Sequence, residues 1–322
     1  MTIERRAALS LPLALLPASL HAQNAFPERA VRYIVPFTPA GLTDIMARLV
    51  AQRLGEIWNK PVVVENRAGG NAMIGADAAA KSPPDGHTLL AITLAHAVNV
   101  SLFPHAPYDL MRDFTPISVL GSLPLVVCVH PSNPARNLRE LMAQARERTL
   151  NGGSSGNGTP PHLGLELFRR ASGAGPNITH VPYRGGAPSV TDLMGNNLQL
   201  IVSNLPECLP QLQGGQLRGL AVTGAERHRL LPDMPTVAEA GAPEMEITSW
   251  TAMVTNAAVP GPVLAEIGRA TAIALREGEA RRRAEEGGFD VLAWDSGRSR
   301  TFLGEQVSRW GRLVREAGIR AD

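Results

Sequence analysis

"VPFTPAGLTDIMARLV", residues 35–50, decides how the rest of the chain is read. Ile34, Val35 and Phe37 make an apolar run that stops at Pro36, Pro39, Ala40 and Gly41, then restarts as a helical pattern with Thr43 and Asp44 at its mouth. A strand feeding a glycine-containing turn and a helix start is a common way to build an anion site. The first-turn N–H groups have no intrahelical partner, and the aligned peptide dipoles add partial positive charge there. The same letters also describe an ordinary strand-to-helix turn in which Thr43 caps the helix and nothing binds.

Outward from this stretch, strand and helix patterns alternate, which predicts an α/β fold with largely parallel sheets. "AVRYIVPF" reads as a strand and 43–58 as a helix carrying Met46, Leu49, Val50, Leu54 and Ile57 on one face. "KPVVVENR" follows as a strand whose successive valines suit a sheet buried on both faces. "AGGNAMIGADAAAKS" gives a turn and a short helix ended by Pro83-Pro84, and "HTLLAIT" a third strand. "FTPISVL" and "PLVVCVH" read as two more strands, with a crossing into a second lobe near residue 125. That lobe repeats the scheme, and "EITSWTAMVT" returns the chain to the first. Helices at 261–275 and 277–287, a strand "FDVLAW" and a helix from 298 to 318 close it. The expected organisation is an export segment at 1–22, a first lobe at 23–125 and 250–322, and a second lobe at 126–249.

The 322 residues carry a net charge of +2, with 44% hydrophobic, 19% charged and 4% aromatic residues. This is a globular composition without the basic footprint of a nucleic-acid binder or the aromatic platforms that stack bases. Arg5 and Arg6 precede the apolar run "AALSLPLALLPASL", and "LHA" ends at Ala22 as a cleavage site, so export to the periplasm is expected. The run is short and contains Pro12 and Pro17, which argues against a retained membrane helix. Whether the paired arginines make it a twin-arginine signal stays open. Cys128 and Cys208 read as two separate buried thiols, with a disulfide permitted by the compartment. No cysteine or histidine spacing suits a metal, no Gly-Lys-Ser/Thr follows a glycine loop, and no cofactor is expected.

"GGSSG", residues 152–156, matches G-x-S-x-G with Ser154 as nucleophile and His162 or His180 as base. An exported serine hydrolase is therefore the rival reading. The nucleophile elbow needs a helix directly after the serine, whereas Gly156 to Pro161 intervene, and no Asp is placed to orient either histidine. The loop reads better as a cradle. Gly152, Gly153, Gly156 and Gly158 let backbone approach a ligand, and Ser154, Ser155 and Thr159 add hydroxyls before a helix. "YRGGAPS" and "VSNLPE" are two further candidate loops. Two lobes offering helix starts and small polar loops describe a non-enzymatic cleft for a small carboxylate.

Seven stretches carry a closer likeness: "VRYIVPFTPAGLTDIMAR", "PVVVENRAGGNAMIGADAAAKSPPDGHTLL", "YDLMRDFTPIS", "HLGLELF", "HVPYRGGAPSVTDLMGN", "GQLRGLAVTGAERHRLLPDMPTVAEAG" and "RWGRLVREAGI". In their order and number, over essentially all of 26–320, the chain resembles the periplasmic substrate-binding proteins of tripartite tricarboxylate transporters, the Bug-type receptors. The resemblance implies a class II periplasmic-binding-protein fold with a ligand cleft between its lobes. It also implies a buried carboxylate-containing ligand held by backbone groups, hydroxyls and bridging waters. The expected protein is a monomer that captures a small organic acid and hands it to the membrane subunits of a transporter. A receptor that reports to a sensor protein is the alternative within the same class.

Carried over position by position, the first-lobe ligand loop is Phe37 to Asp44. It contains Ala40-Gly41 where the family usually has two glycines, so Ala40 places a methyl where positive φ or close approach to ligand is expected, with an effect on ligand affinity or size, and it has Thr43 at the helix start. Asp44 is expected to brace the loop, and backbone freedom is expected to matter at Gly41. Thr93 and His96 are expected near the cleft. In the second lobe the matches are Ser154, Gly156, Thr159 and His162, then Gly185 and Gly186. Ser203 and Asn204 stand where the family often has an acid, so recognition of a ligand ammonium is expected to be weaker.

Overall fold

The computed structural model describes residues 26–317, so the export segment read at 1–22 lies outside the described residues. In the opening stretch Val31–Val35 is strand β1 and Leu42–Trp58 is helix α1. Met46, Val50, Leu54 and Trp58 recur at helical spacing and are buried, sharing one apolar cluster with Tyr33 and Val35 of β1. Asn59 ends the helix in the left-handed conformation at φ 49°, its N–H donating to the Gly55 carbonyl.

The chain continues as β2 (Val62–Asn66), α2 (Met73–Ala80), β3 (Thr88–Thr93), α3 (Leu94–Leu102) and β4 (Phe114–Val129). Next come α4 (Leu138–Glu147), β5 (Leu150–Ser154), α5 (Pro160–Ser172), β6 (Ile178–Pro182), α6 (Gly186–Met194), β7 (Leu200–Asn204), α7 (Leu205–Gln213) and β8 (Arg218–Val222). The return runs through β9 (Thr248–Asn256), α8 (Gly261–Arg276), α9 (Glu279–Glu286), β10 (Asp290–Val291) and α10 (Ser296–Ala317).

The strands form one path, β2-β1-β3-β9-β4-β7-β5-β6. Pairing is parallel inside each lobe (β1 with β2 and β3, β5 with β6 and β7) and antiparallel through β3-β9-β4-β7, where the chain crosses. Three sequence expectations change here. The triple-valine strand is not covered on both faces: β2 is a sheet edge and Val63 is 52% exposed, because β-branched residues favour extended backbone with or without a second cover. The two strands read on either side of Pro124 are one. Proline cannot donate to a ladder, but Pro116 falls where β4 shifts register, and Pro124 where it leaves β9 and takes β7 and β8 as neighbours. The strand read at "FDVLAW" shrinks to two residues pairing with Gly121 and Ser122.

Leu125, where β4 changes partners, and Ile247, just before β9, are joined by the fully buried Thr223. Its N–H donates to the Leu125 carbonyl (2.9 Å), and its Oγ1 accepts from the Leu125 N–H (2.8 Å) and donates to the Ile247 carbonyl (2.6 Å). Its own carbonyl accepts from the Ile247 N–H (3.0 Å). Among the described residues no helix is long and apolar enough to cross a membrane.

Candidate functional site

The turn between β1 and α1 is held by a carboxylate rather than by glycine. Asp44, 3% exposed, accepts from the Ala40 N–H (3.0 Å), from Arg48 Nε (2.8 Å) and from Asn66 Nδ2 (2.9 Å), and Asn66 also donates to the Phe37 carbonyl (3.1 Å). Burial alone would raise the Asp44 pKa; the bonds from Arg48, Ala40 and Asn66 outweigh it and hold the carboxyl below its usual range. The backbone demand lies at Ala40, φ 65°, and not at Gly41, which caps α1 in extended backbone at φ −83°. A β-carbon at Gly41 would meet Glu207 at an ordinary contact of 3.5 Å. A left-handed alanine costs about 1–2 kcal/mol, part of which glycine recovers. Ala40→Gly is therefore expected to stabilise the protein by about 1 kcal/mol, read as a raised midpoint in calorimetric unfolding.

Around this turn stand four other helix starts. Thr93 caps α3, its Oγ1 accepting from the Ala95 N–H (3.3 Å). His96 completes that cap from behind: Nδ1 accepts from the Thr93 N–H (3.1 Å), and burial lowers its pKa to about 4, so the ring is neutral with its proton on Nε2. At the start of α5, Ser155 Oγ donates to Thr159 Oγ1 (3.2 Å), which donates to the Gly156 carbonyl (2.6 Å). Gly185 caps α6 at φ 149°. Asn204, 4% exposed, begins α7, and its Oδ1 has no partner.

These starts converge on a small space between the lobes. Phe37, Thr38, Gly41, Leu42, Thr43 and Thr93 face it from one side. From the other come Ser155, Thr159, Pro160, Gly185, Gly186, Asn204 and Glu207. No lysine or arginine is among them. The free volume is about 20 Å³, room for about one water. A direct bond crosses it: Thr38 Oγ1 donates to the Arg184 carbonyl (3.0 Å).

Of the residues expected in the site, Phe37, Gly41, Thr43, Thr93, Thr159, Gly185, Gly186 and Asn204 line this space. Ala40 and Asp44 shape the turn behind it. His96, Ser154, Gly156 and His162 stand behind the lining, and Ser203 reaches it only through Glu207. Ser155, not Ser154, is the serine at the cleft. Ser154, 1% exposed, lies 2.6 Å through Oγ from His180 Nε2. That pair is two of the three members of a hydrolytic triad, but the nearby carboxylate, Glu166, faces His162 instead (3.7 Å), and His162 stacks on His180 at 4.1 Å. Burial, then the His162 neighbour, lower the His180 pKa to about 3. α5 begins only at Pro160, so no helix start supports Ser154.

Glu207 is the residue that sequence reasoning missed. Its Oε1 accepts from the Leu42 N–H at the start of α1 (3.3 Å), and its Oε2 accepts from Ser203 Oγ (3.3 Å). Burial raises its pKa, while Leu42, Asn204 and Ser203 pull it partly back. The signal was present: a Glu three residues after a capping Asn turns back onto the helix start. Cys128 and Cys208 are both free and buried, as the sequence reading has them, and the bond from Cys128, then burial, push the Cys208 thiol up.

Comparison with known proteins gives one consistent picture. A family model described as "Tripartite tricarboxylate transporter family receptor" matches residues 46–319. Protein BugT of Bordetella pertussis is 35% identical over 302 residues, 92% of this chain and 92% of that protein. Among solved structures, an R. palustris protein with adipate superposes with a TM-score of 0.87 at 34% identity, over 92% of this chain and 99% of that one. MatC from Rhodopseudomonas palustris, with bound malate, gives 0.84 at 28% identity, over 90% of this chain and 100% of that one.

Proposed function

The chain belongs to the tripartite tricarboxylate transporter receptor family, and from this we propose that it is a periplasmic receptor that closes on a small carboxylate and presents it to a transporter's membrane subunits. The observation that carries the proposal is the convergence of helix starts and hydroxyls from both lobes on one space without a cationic side chain. That is how a carboxylate is held by N–H and O–H donors alone. Closure follows because a ligand touching both sides favours the state in which the sides meet. The lobes we assign are 23–125 with 250–322, and 126–249. The contact residues are those facing the space, and the protein works as a monomer. It catalyses no reaction.

Native mass spectrometry of protein purified without refolding is expected to reveal a bound organic acid, and calorimetric titration with a panel of small mono- and dicarboxylates to give saturable binding of at least one. Protein that carries no acid and titrates with no small carboxylate would sink the proposal. Export is checked on the same sample: the mature mass should lack about the first 22 residues. Full-length, membrane-embedded protein is the contrary result.

Ser155→Ala removes a hydroxyl from the cleft and is expected to weaken carboxylate binding by about 1.5 kcal/mol, roughly tenfold. Ser154→Ala should weaken it less, because Ser154 bonds His180 behind the lining. The Ser154–His180 contact keeps the hydrolase reading testable. Turnover of ester substrates by the wild type, lost in Ser154→Ala, would establish hydrolysis; none is expected.

A further inference from the structure

We propose that Glu207 sets the ligand class of this cleft: its carboxylate takes the place at the start of α1 that a ligand carboxylate would fill, so the receptor accepts monocarboxylates and turns away dicarboxylates. The inference rests on the receptor reading above and names the ligand within it.

Three observations carry it. First, the Leu42 N–H, the first-turn donor that the opening turn presents to the cleft, is already bonded to Glu207 Oε1 from the opposite lobe. The group in the anion position is therefore the protein's own. Second, the same carboxylate covers a second helix start, since a β-carbon built at Gly186, the first residue of α6, would fall on Glu207. One internal carboxyl group thus stands against two of the facing helix starts. Third, the lining offers nothing to neutralise another anion beside it. No lysine or arginine faces the space, and the adjoining Asn204, 96% buried, leaves its Oδ1 acceptor unpartnered.

A ligand carboxylate is left with the Thr93 hydroxyl, whose proton is uncommitted, and with the Ser155 and Thr159 hydroxyls once they turn from Thr159 Oγ1 and the Gly156 carbonyl. Its far end meets Glu207 and Asn204 Oδ1, both acceptors, which favour a hydroxyl or another donor over a second carboxylate. Like charges brought together in a dehydrated space repel more strongly than in water.

The test has two arms. In the first, dialysed ligand-free wild type, Glu207→Ala and Glu207→Gln are compared by small-angle X-ray scattering. Loss of the Leu42 bond is expected to give the alanine variant a larger radius of gyration, with the glutamine variant between. In the second arm each protein is titrated with adipate and with 6-hydroxyhexanoate, which share a chain length. Wild type is expected to prefer the hydroxy acid at least tenfold, and Glu207→Ala to reverse that preference. The glutamine variant keeps the size of the side chain and guards against a folding defect in the alanine variant. An unchanged ligand ratio across the three proteins, or a wild-type preference for adipate, overturns the ligand class. Identical scattering overturns the placement of Glu207. A scattering difference without binding of either acid to any protein overturns the receptor reading instead.

Discussion

Gly185→Ala is expected to cost ligand affinity at least about 100-fold while leaving a folded protein. Gly185 sits at φ 149° and ψ 173°, a region essentially reserved for glycine. A β-carbon there would run into Thr38 Oγ1 of the opposite lobe, the atom that donates across the cleft to the Arg184 carbonyl. The strain, about 1–3 kcal/mol, is felt in every state. The collision with Thr38 exists only when the lobes meet, so the closed form carries both costs. Thermal unfolding without ligand should fall modestly, and calorimetric titration of a carboxylate that binds the wild type should lose its heat. Wild-type affinity in the folded variant would mean that closure does not bring Gly185 and Thr38 together.

Asp44→Ala is expected to destabilise the protein by about 2–3 kcal/mol. The carboxylate is buried, accepts one backbone and two side-chain bonds, and holds Ala40 in its unfavourable conformation. Its sign with pH is fixed by the depressed pKa. Such a carboxylate contributes stability above the unfolded value, near pH 4, and loses it as pH falls through the folded value. The gap between wild type and Asp44→Ala in denaturant midpoint should therefore be full at neutral pH and narrow below about pH 4. A gap that persists undiminished in acid would show that the side chain acts through packing rather than charge. Ligand binding should weaken as well, since the turn that carries Phe37, Thr38 and Gly41 to the cleft would lose its brace.

Much of the fold could be read from the letters because its period is local. The helical spacing of Met46, Val50 and Leu54 and the capping glycines of the second lobe are properties of a few consecutive residues. The misreadings came from information that is not local. Pro116 and Pro124 look like strand ends, yet β4 runs through both because its partners change there. The valines of β2 carry no mark of whether another layer covers them. α3 went unread because Thr93 reads as the end of a strand while it also caps a helix.

At the site, loops were easier to find than contacts. Each helix start announces itself by glycine, proline or hydroxyl residues. Ser154 and Ser155 differ only in which way adjacent side chains alternate, and the choice is made by β5 pairing with β6 and β7. The left-handed backbone was read at both Ala40 and Gly41, and it belongs to Ala40 alone, the residue whose N–H Asp44 holds. Glu207 escaped because its partner, Leu42, is remote in sequence and belongs to the other lobe.

Thr223 has a mechanical consequence. A molecule whose halves are connected by two independent tethers can twist, slide and flap relative to itself. Here a single buried hydroxyl and its peptide unit grip both tethers at once, with four bonds between Thr223, Leu125 and Ile247. The tethers therefore bend together, as one axle. Distances measured between labels on the two halves should trace a single arc during opening, and every part of the mouth should gape in proportion to its distance from Thr223. Solutes would then enter from the rim farthest from that residue, and the last point to lose contact on opening would be the one nearest it.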